Sequence, residues 1–134
     1  MANELSVLGL AKKAGALEIG EESVILAVRS GKARLILTAS DASDRTKRHA
    51  QSLSEEWECP YVPLDHTKSE LGMMVGRGSP GIISITNAGL ASSFVSRLPE
   101  AGDEIKQQLA QTAERINARR KVTGTPAGGN GKRR

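Results

Sequence analysis

The chain is 134 residues long, 38% hydrophobic and only 2% aromatic, a length that fits one domain with an appendage and a composition that requires an aliphatic core. Trp57, Tyr61 and Phe94 are its only aromatic residues, too few for a platform on which successive single-stranded bases stack. The net charge of +4 is uneven: residues 1–100 hold 11 basic and 12 acidic side chains and residues 101–134 hold 8 and 3, so the tail is either a contact for a polyanion or a solubilising extension.

The opening MANELSVLGLAKKAG lacks the basic start and unbroken apolar stretch of a signal peptide, and no apolar run reaches the ~18 residues of a membrane span. Leu5, Leu8, Leu10 and Ala11 instead mark a first amphipathic helix, closed by Gly15. A short extended piece follows at 17–19. Gly20-Glu21-Glu22-Ser23 then opens a second helix, with Val24, Ala27 and Val28 at core spacing and Gly31 as its stop. Residues 34–39 form a short apolar run bounded by turn residues, the pattern of a buried central strand. Ser40-Asp41-Ala42-Ser43-Asp44 supplies capping oxygens for a third helix reaching Glu58. In open α/β sheets the carboxyl edge of such a strand is where ligands bind.

Cys59 is the only cysteine, so no internal disulfide forms, and His49 and His66 cannot complete a zinc cluster with it. A reducing cytosol is its natural compartment. Lying between Glu58 and Pro60, its thiol has a pKa raised by nearby acid and makes a poor nucleophile. Residues 61–64 read as a short strand, and Pro63 marks an edge, a bulge or a strand end. A fourth helix spans 68–75, opened by Thr67 or Ser69. A loop at 76–81, a strand at 82–86 and a helix at 90–98 complete the alternation, which predicts an α/β/α sandwich. Beyond Pro99, Ile105, Leu109, Ala113 and Ile116 recur at helical spacing, while the stretch from Thr123 has no core-forming residues. The expectation is an amphipathic helix within 99–122 and a disordered basic tail over 123–134.

Gly76-Arg77-Gly78-Ser79-Pro80-Gly81 spells G-x-G-x-x-G, but it follows a helix and precedes a strand, the reverse of the dinucleotide fingerprint, and it contains a proline. It is either a binding loop or a plain connection. His49 and His66 have no companions at metal or triad spacing and read as surface residues. Glu21-Glu22 is either an acid/base pair or the usual acidic complement to a helix N-terminus. Arg45, Lys47 and Arg48 form a basic patch on the third helix, a solvated face or a phosphate contact. No nucleophile–base pair and no metal set appears, which argues against an enzyme and against a cofactor.

The segments AVRSGKARLILTASDAS, YVPL, Glu70-Leu71-Gly72, Gly76, Pro80 and IISITNAG follow one another in an order that resembles the kink-turn-binding ribosomal proteins of the L-seven-Ae and L-thirty-e type, and among them a small bacterial cytosolic member. The resemblance runs from about Leu5 to Leu98 and excludes everything from Pro99 onward. It implies a three-layer α-β-α sandwich with a four-stranded mixed sheet. It also implies RNA binding by the start of the second helix and the loop before the last strand. In this chain those are Gly20, Glu21, Glu22, Ser23 and Leu26, and Gly78, Ser79, Pro80, Gly81 and Ile82. Lys13, Lys32 and Arg77 are the nearest candidate phosphate partners. Gly78, Pro80 and Ile82 suit a loop that covers an extruded base. The family's Asn-Glu, followed three residues later by Lys, falls here on Glu22, Ser23 and Leu26, so all three reading groups are replaced.

The expected organisation is an RNA-binding domain over 1–98, the helix within 99–122 and the tail over 123–134. The expected function is that of a non-enzymatic, cytoplasmic RNA-binding protein of ribosomal-protein type. The expected partner is structured RNA, kink-turn-like or ribosomal, with ribosomal RNA and the ribosome among the candidates and with no cofactor, small-molecule substrate or membrane. The alternative is a protein–protein adaptor on the same scaffold that has lost standard kink-turn recognition.

Overall fold

Apolar periodicity and caps set the order of the elements. The computed structural model describes residues 4–76 and 78–98. Within them run α1 (Glu4–Lys13), β1 (Leu17–Ile19), α2 (Glu21–Arg29), β2 (Leu35–Thr38), α3 (Asp44–Trp57), β3 (Tyr61–Pro63), α4 (Lys68–Val75), β4 (Ile82–Ile85) and α5 (Ala88–Ser96). β2 and β4 are buried at every position, and the strand order β1-β4-β2-β3 puts both in the middle of the sheet. β1 and β2 run antiparallel to β4, and β2 runs parallel to β3. The sheet is therefore mixed, and one edge of it gathers the carboxyl ends of β1, β2 and β3 with the start of β4.

The pleat divides the core in two. Leu35, Leu37, Ile83 and Ile85 face Val7 and Leu8 of α1, Leu71 and Val75 of α4, and Ala91, Phe94 and Val95 of α5. Ile36 and Ile82 face Val24, Ala27 and Val28 of α2 and Ala50 and Leu53 of α3. Helices thus cover both faces, and the three-layer sandwich is observed. Full burial of each such aliphatic side chain is worth about 1.5–3 kcal/mol, so most of the stability comes from these two layers. Thr38 is a polar exception in the core, and its Oγ1 lies 2.8 Å from the hydroxyl of Tyr61 on the neighbouring strand.

Caps explain where the boundaries differ from expectation. Asn87 Oδ1 accepts from the Leu90 N–H at 2.8 Å, so α5 begins at Ala88 rather than at residue 90. Thr67, not Ser69, opens α4 and exchanges hydrogen bonds with Glu70 in a capping box. α3 stops at Trp57 because Glu58 turns into the left-handed region, with φ 53°. β3 is an edge strand with Pro63 as its last residue, a place where proline is tolerated. The helix expected within 99–122 and the tail over 123–134 lie outside the described residues.

Candidate nucleic-acid interface

Gly20 hands the chain from β1 to α2. Its φ of 97° and ψ of 159° lie in a region open essentially to glycine alone. Its N–H donates to the Ile82 carbonyl at 3.0 Å and ties the start of α2 to the start of β4. Having no side chain, Gly20 leaves α2 without a side-chain cap, whereas Ser43, Thr67 and Asn87 cap α3, α4 and α5. The first intrahelical bond runs from the Val24 N–H to the Gly20 carbonyl. The backbone N–H groups of the first turn of α2 remain available to an anion.

The loop over 76–81 closes on the same edge. Gly76 ends α4 in the left-handed region, with φ 72°, and Gly78 and Ser79 are exposed. The Ala39 N–H donates to the Gly81 carbonyl at 3.0 Å, which joins the loop to the end of β2. The turn after β2 binds two more elements to this edge. The Ser40 N–H donates to the His66 carbonyl at 2.8 Å, and Asp41 Oδ1 accepts from the Lys68 N–H at 2.8 Å. Lys47 Nζ donates to the Ser40 carbonyl at 2.8 Å. A Cβ on Gly81 would lie 3.8 Å from Lys68 Cδ, so the lysine stem runs beside the loop.

The expected site residues divide on this geometry. The Gly20 N–H to Ile82 carbonyl bond places the start of α2, with Glu21, Glu22 and Ser23, at the same edge as the loop that holds Gly78, Ser79, Pro80 and Gly81. Leu26 follows Glu22 one turn along the outer face of α2 and is 69% exposed. Arg77 lies outside the described residues. Lys13 and Lys32 are elsewhere. Lys13 ends α1 shortly before Ala16, whose carbonyl accepts from the Thr86 N–H, and Lys32 precedes Arg34, whose N–H donates to the Ile85 carbonyl. Both lysines therefore sit at the opposite edge of the sheet, because β4 runs its full length between Ile82 and that end.

Ile82 also departs from expectation as a cover for a base. Its side chain is buried beneath α2 and α3, so it is core, and its carbonyl alone serves the edge. Pro80 is buried as well. Glu21 turns toward α3, where its Oε2 lies 2.7 Å from His49 Nδ1, which leaves Glu22 as the exposed carboxylate of the pair. His49 and His66, read as surface residues, are half-buried and hydrogen-bonded; His66 Nε2 lies 2.8 Å from Glu4 Oε2. The Cys59 thiol is pushed up to about 12, chiefly by burial rather than by neighbouring acid, and Arg34 pulls the other way.

Lys68 belongs to this edge although sequence pattern did not point to it. The parallel pairing of β2 with β3 brings the start of α4 beside the end of β2, and such a contact across 27 residues has no local signature. With Lys47, and with Arg45 and Arg48 exposed on the first two turns of α3, it adds cations to an edge that also carries Glu22, Asp41, Asp44 and Glu70. Among the described residues no three His, Cys, Asp or Glu side chains could hold a metal ion, and no described helix is long and apolar enough to cross a membrane.

The Bacillus subtilis (strain 168) RNA-binding protein YlxQ is 29% identical over 92 residues, which span 69% of this chain and 91% of that protein. The YlxQ of Enterococcus faecium is 36% identical over 73 residues, 54% of this chain and 70% of the relative. A solved structure of a Bacillus halodurans protein with unknown function superposes with a TM-score of 0.66 at 30% identity, covering 72% of this chain and 96% of that one. A 15.5kD RNA binding protein of Giardia lamblia, 21% identical with a TM-score of 0.55, shares the fold. The model of the ribosomal protein L7Ae/L30e/S12e/Gadd45 family matches residues 3–94, and with α1 to α5 arranged about the mixed sheet as described, the chain belongs to that family.

Proposed function

We propose that this chain is a non-enzymatic, cytoplasmic RNA-binding protein of ribosomal-protein type that takes structured RNA at the edge where Gly20 meets Ile82. The observation that carries the reading is the junction itself: an uncapped helix start joined by one backbone hydrogen bond to Ile82, the first residue of β4 after the glycine-rich loop in which Gly78 and Ser79 are exposed. Free N–H groups suit a phosphate. The loop offers small, backbone-rich surface at Gly78 and Ser79 against which a base can lie. Membership of a family that includes ribosomal proteins, and the names of the YlxQ relatives, support the same conclusion.

The chemistry of α2 argues that standard kink-turns are read weakly. A guanine edge in a sheared pair presents N–H donors that want a carboxylate and an O6 that wants a cation. Ser23 is too short for the first, and Leu26 cannot supply the second. Crosslinking in cells, followed by sequencing of the recovered RNA, tests the function. Enrichment of structured ribosomal segments is expected, and recovery of no RNA above background would refute the reading.

A further inference from the structure

We propose that the first two turns of α3 form a second phosphate-contact surface that continues the α2–loop site along the same edge of the sheet, with Arg45 and Arg48 as its cations. The inference rests on the RNA-binding reading above and extends it to a part of the molecule that reading does not use.

The charges of α3 run against its own dipole. The N-terminal end of a helix disfavours cations and the C-terminal end disfavours anions. Yet Arg45 lies in the first turn with Lys47 and Arg48 following, while Glu55 and Glu56 lie in the last turn and Glu58 caps it. The last turn holds no basic residue, and Asp44 is the one charge placed as the dipole prefers. Lys47 and Glu55 have hydrogen-bonded partners in Ser40 and Gln51, so the preference broken without a structural return falls on Arg45 and Arg48, and such a break is the mark of a functional surface. Arg45 and Arg48 are exposed and make no ion pair among the described residues.

The fold aims this polarity. α3 begins just past the carboxyl end of β2, so its basic end stands at the edge that holds Gly20 and Gly81. Its acidic end leads to Pro60, whose carbonyl accepts from the Ile36 N–H toward the opposite edge. The basic end is also tied to the first turn of α2 through Glu21 and His49, and to the turn after β2 through Lys47 and Ser40. These contacts hold the start of α3 beside the start of α2, so Arg45 and Arg48 lie within reach of the same RNA as the α2–loop site. The acidic far end repels a strand that approaches in the reverse sense.

The test is filter binding of purified large-subunit ribosomal RNA between about 50 and 200 mM salt, comparing the native chain with two charge-matched double variants. Arg45→Gln/Arg48→Gln removes two cations from the proposed surface. Lys13→Gln/Lys32→Gln removes two from the opposite edge. Each lost phosphate contact lowers the salt slope by about 0.7–0.9, so the arginine pair should lose roughly eightfold less affinity than the native chain across that range. The lysine pair should match the native slope. Equal effects from both pairs, or no effect from the arginine pair while the native chain binds, would overturn the inference and leave the RNA reading intact. A native chain that binds no RNA at about 50 mM salt would instead refute the reading itself, and this inference with it. Both pairs are exposed, so melting temperatures should stay near native and report that the variants fold.

Discussion

At the scale of single residues, the burial of one thiol has a measurable consequence. Cys59 lies beneath α2 and α3 with its Sγ 3.7 Å from the Ala33 carbonyl, and burial raises its pKa from 9.0 to about 12. The native chain therefore keeps its proton where the unfolded chain loses it. The contribution of the neutral thiol to stability is complete below about pH 9 and declines as pH rises toward 12, at up to about 1.4 kcal/mol per pH unit. Other groups titrate in the same window, so the comparison is with Cys59→Ala. Chemical denaturation at pH 8, 9.5 and 11 should show the stability gap between the two chains narrowing as pH rises. A gap constant across those pH values would mean that the thiol is not protected. At pH 8 a thiol reagent should label the native chain far more slowly than the unfolded one.

At the scale of elements, α2 carries both the core and the candidate reading surface, and its periodicity keeps them apart. Val24, Ala27 and Val28 are buried, while Glu22 and Leu26 lie outside. Glu22→Asn, Ser23→Glu and Leu26→Lys together should therefore install the missing reading groups without disturbing the fold. Each good bidentate base contact is worth roughly 1–3 kcal/mol, so two should tighten binding to a standard kink-turn duplex by about 30- to 20,000-fold. A fluorescence titration at fixed salt measures it; nanomolar binding by the native chain would show that other residues do the reading. The elements themselves were legible in the sequence because stops and apolar spacing are local. Gly31, Pro60 and Gly76 punctuate the chain where helices or connections end, and 35–38 is as buried as its unbroken apolar run suggests. Facing and edge were not legible. In the run Ile82–Ile85 three of the four residues are isoleucine, so alternation could not say that Ile82 belongs to the α2–α3 layer. Lys13 and Lys32 stand close to the site in chain order, but strand direction alone decides which end of the sheet they occupy. The Glu21–His49 contact spans 28 residues and depends on α2 and α3 packing side by side.

At the scale of the whole molecule, charge is divided between a nearly neutral body and a basic tail, and the two should do different work. Residues 1–100 hold 11 basic and 12 acidic side chains, and residues 101–134 hold 8 and 3, so the tail removes a net charge of +5 when it is deleted. The body owns the shaped edge at Gly20 and Gly81; the tail has few apolar residues with which to read shape and many cations with which to neutralise phosphate. Deleting residues 101–134 should therefore lower the salt dependence of RNA binding more than it lowers discrimination between RNAs. If five phosphate contacts are lost at the single-strand value of about 0.7 each, the slope falls by about 3.5. Over a fourfold rise in salt the native chain should then lose about a hundredfold more affinity than the shortened one. The ratio of affinities for a structured ribosomal fragment and for an unstructured single strand should move little, because the groups that distinguish them remain on α2 and the loop. Thermal melting should also be nearly unchanged, since the described core is built without the deleted residues. Filter binding across a salt series, with both RNAs and both chains, measures slope and ratio together. An unchanged slope would remove the tail from the interface, and a collapsed ratio would show that it reads shape after all.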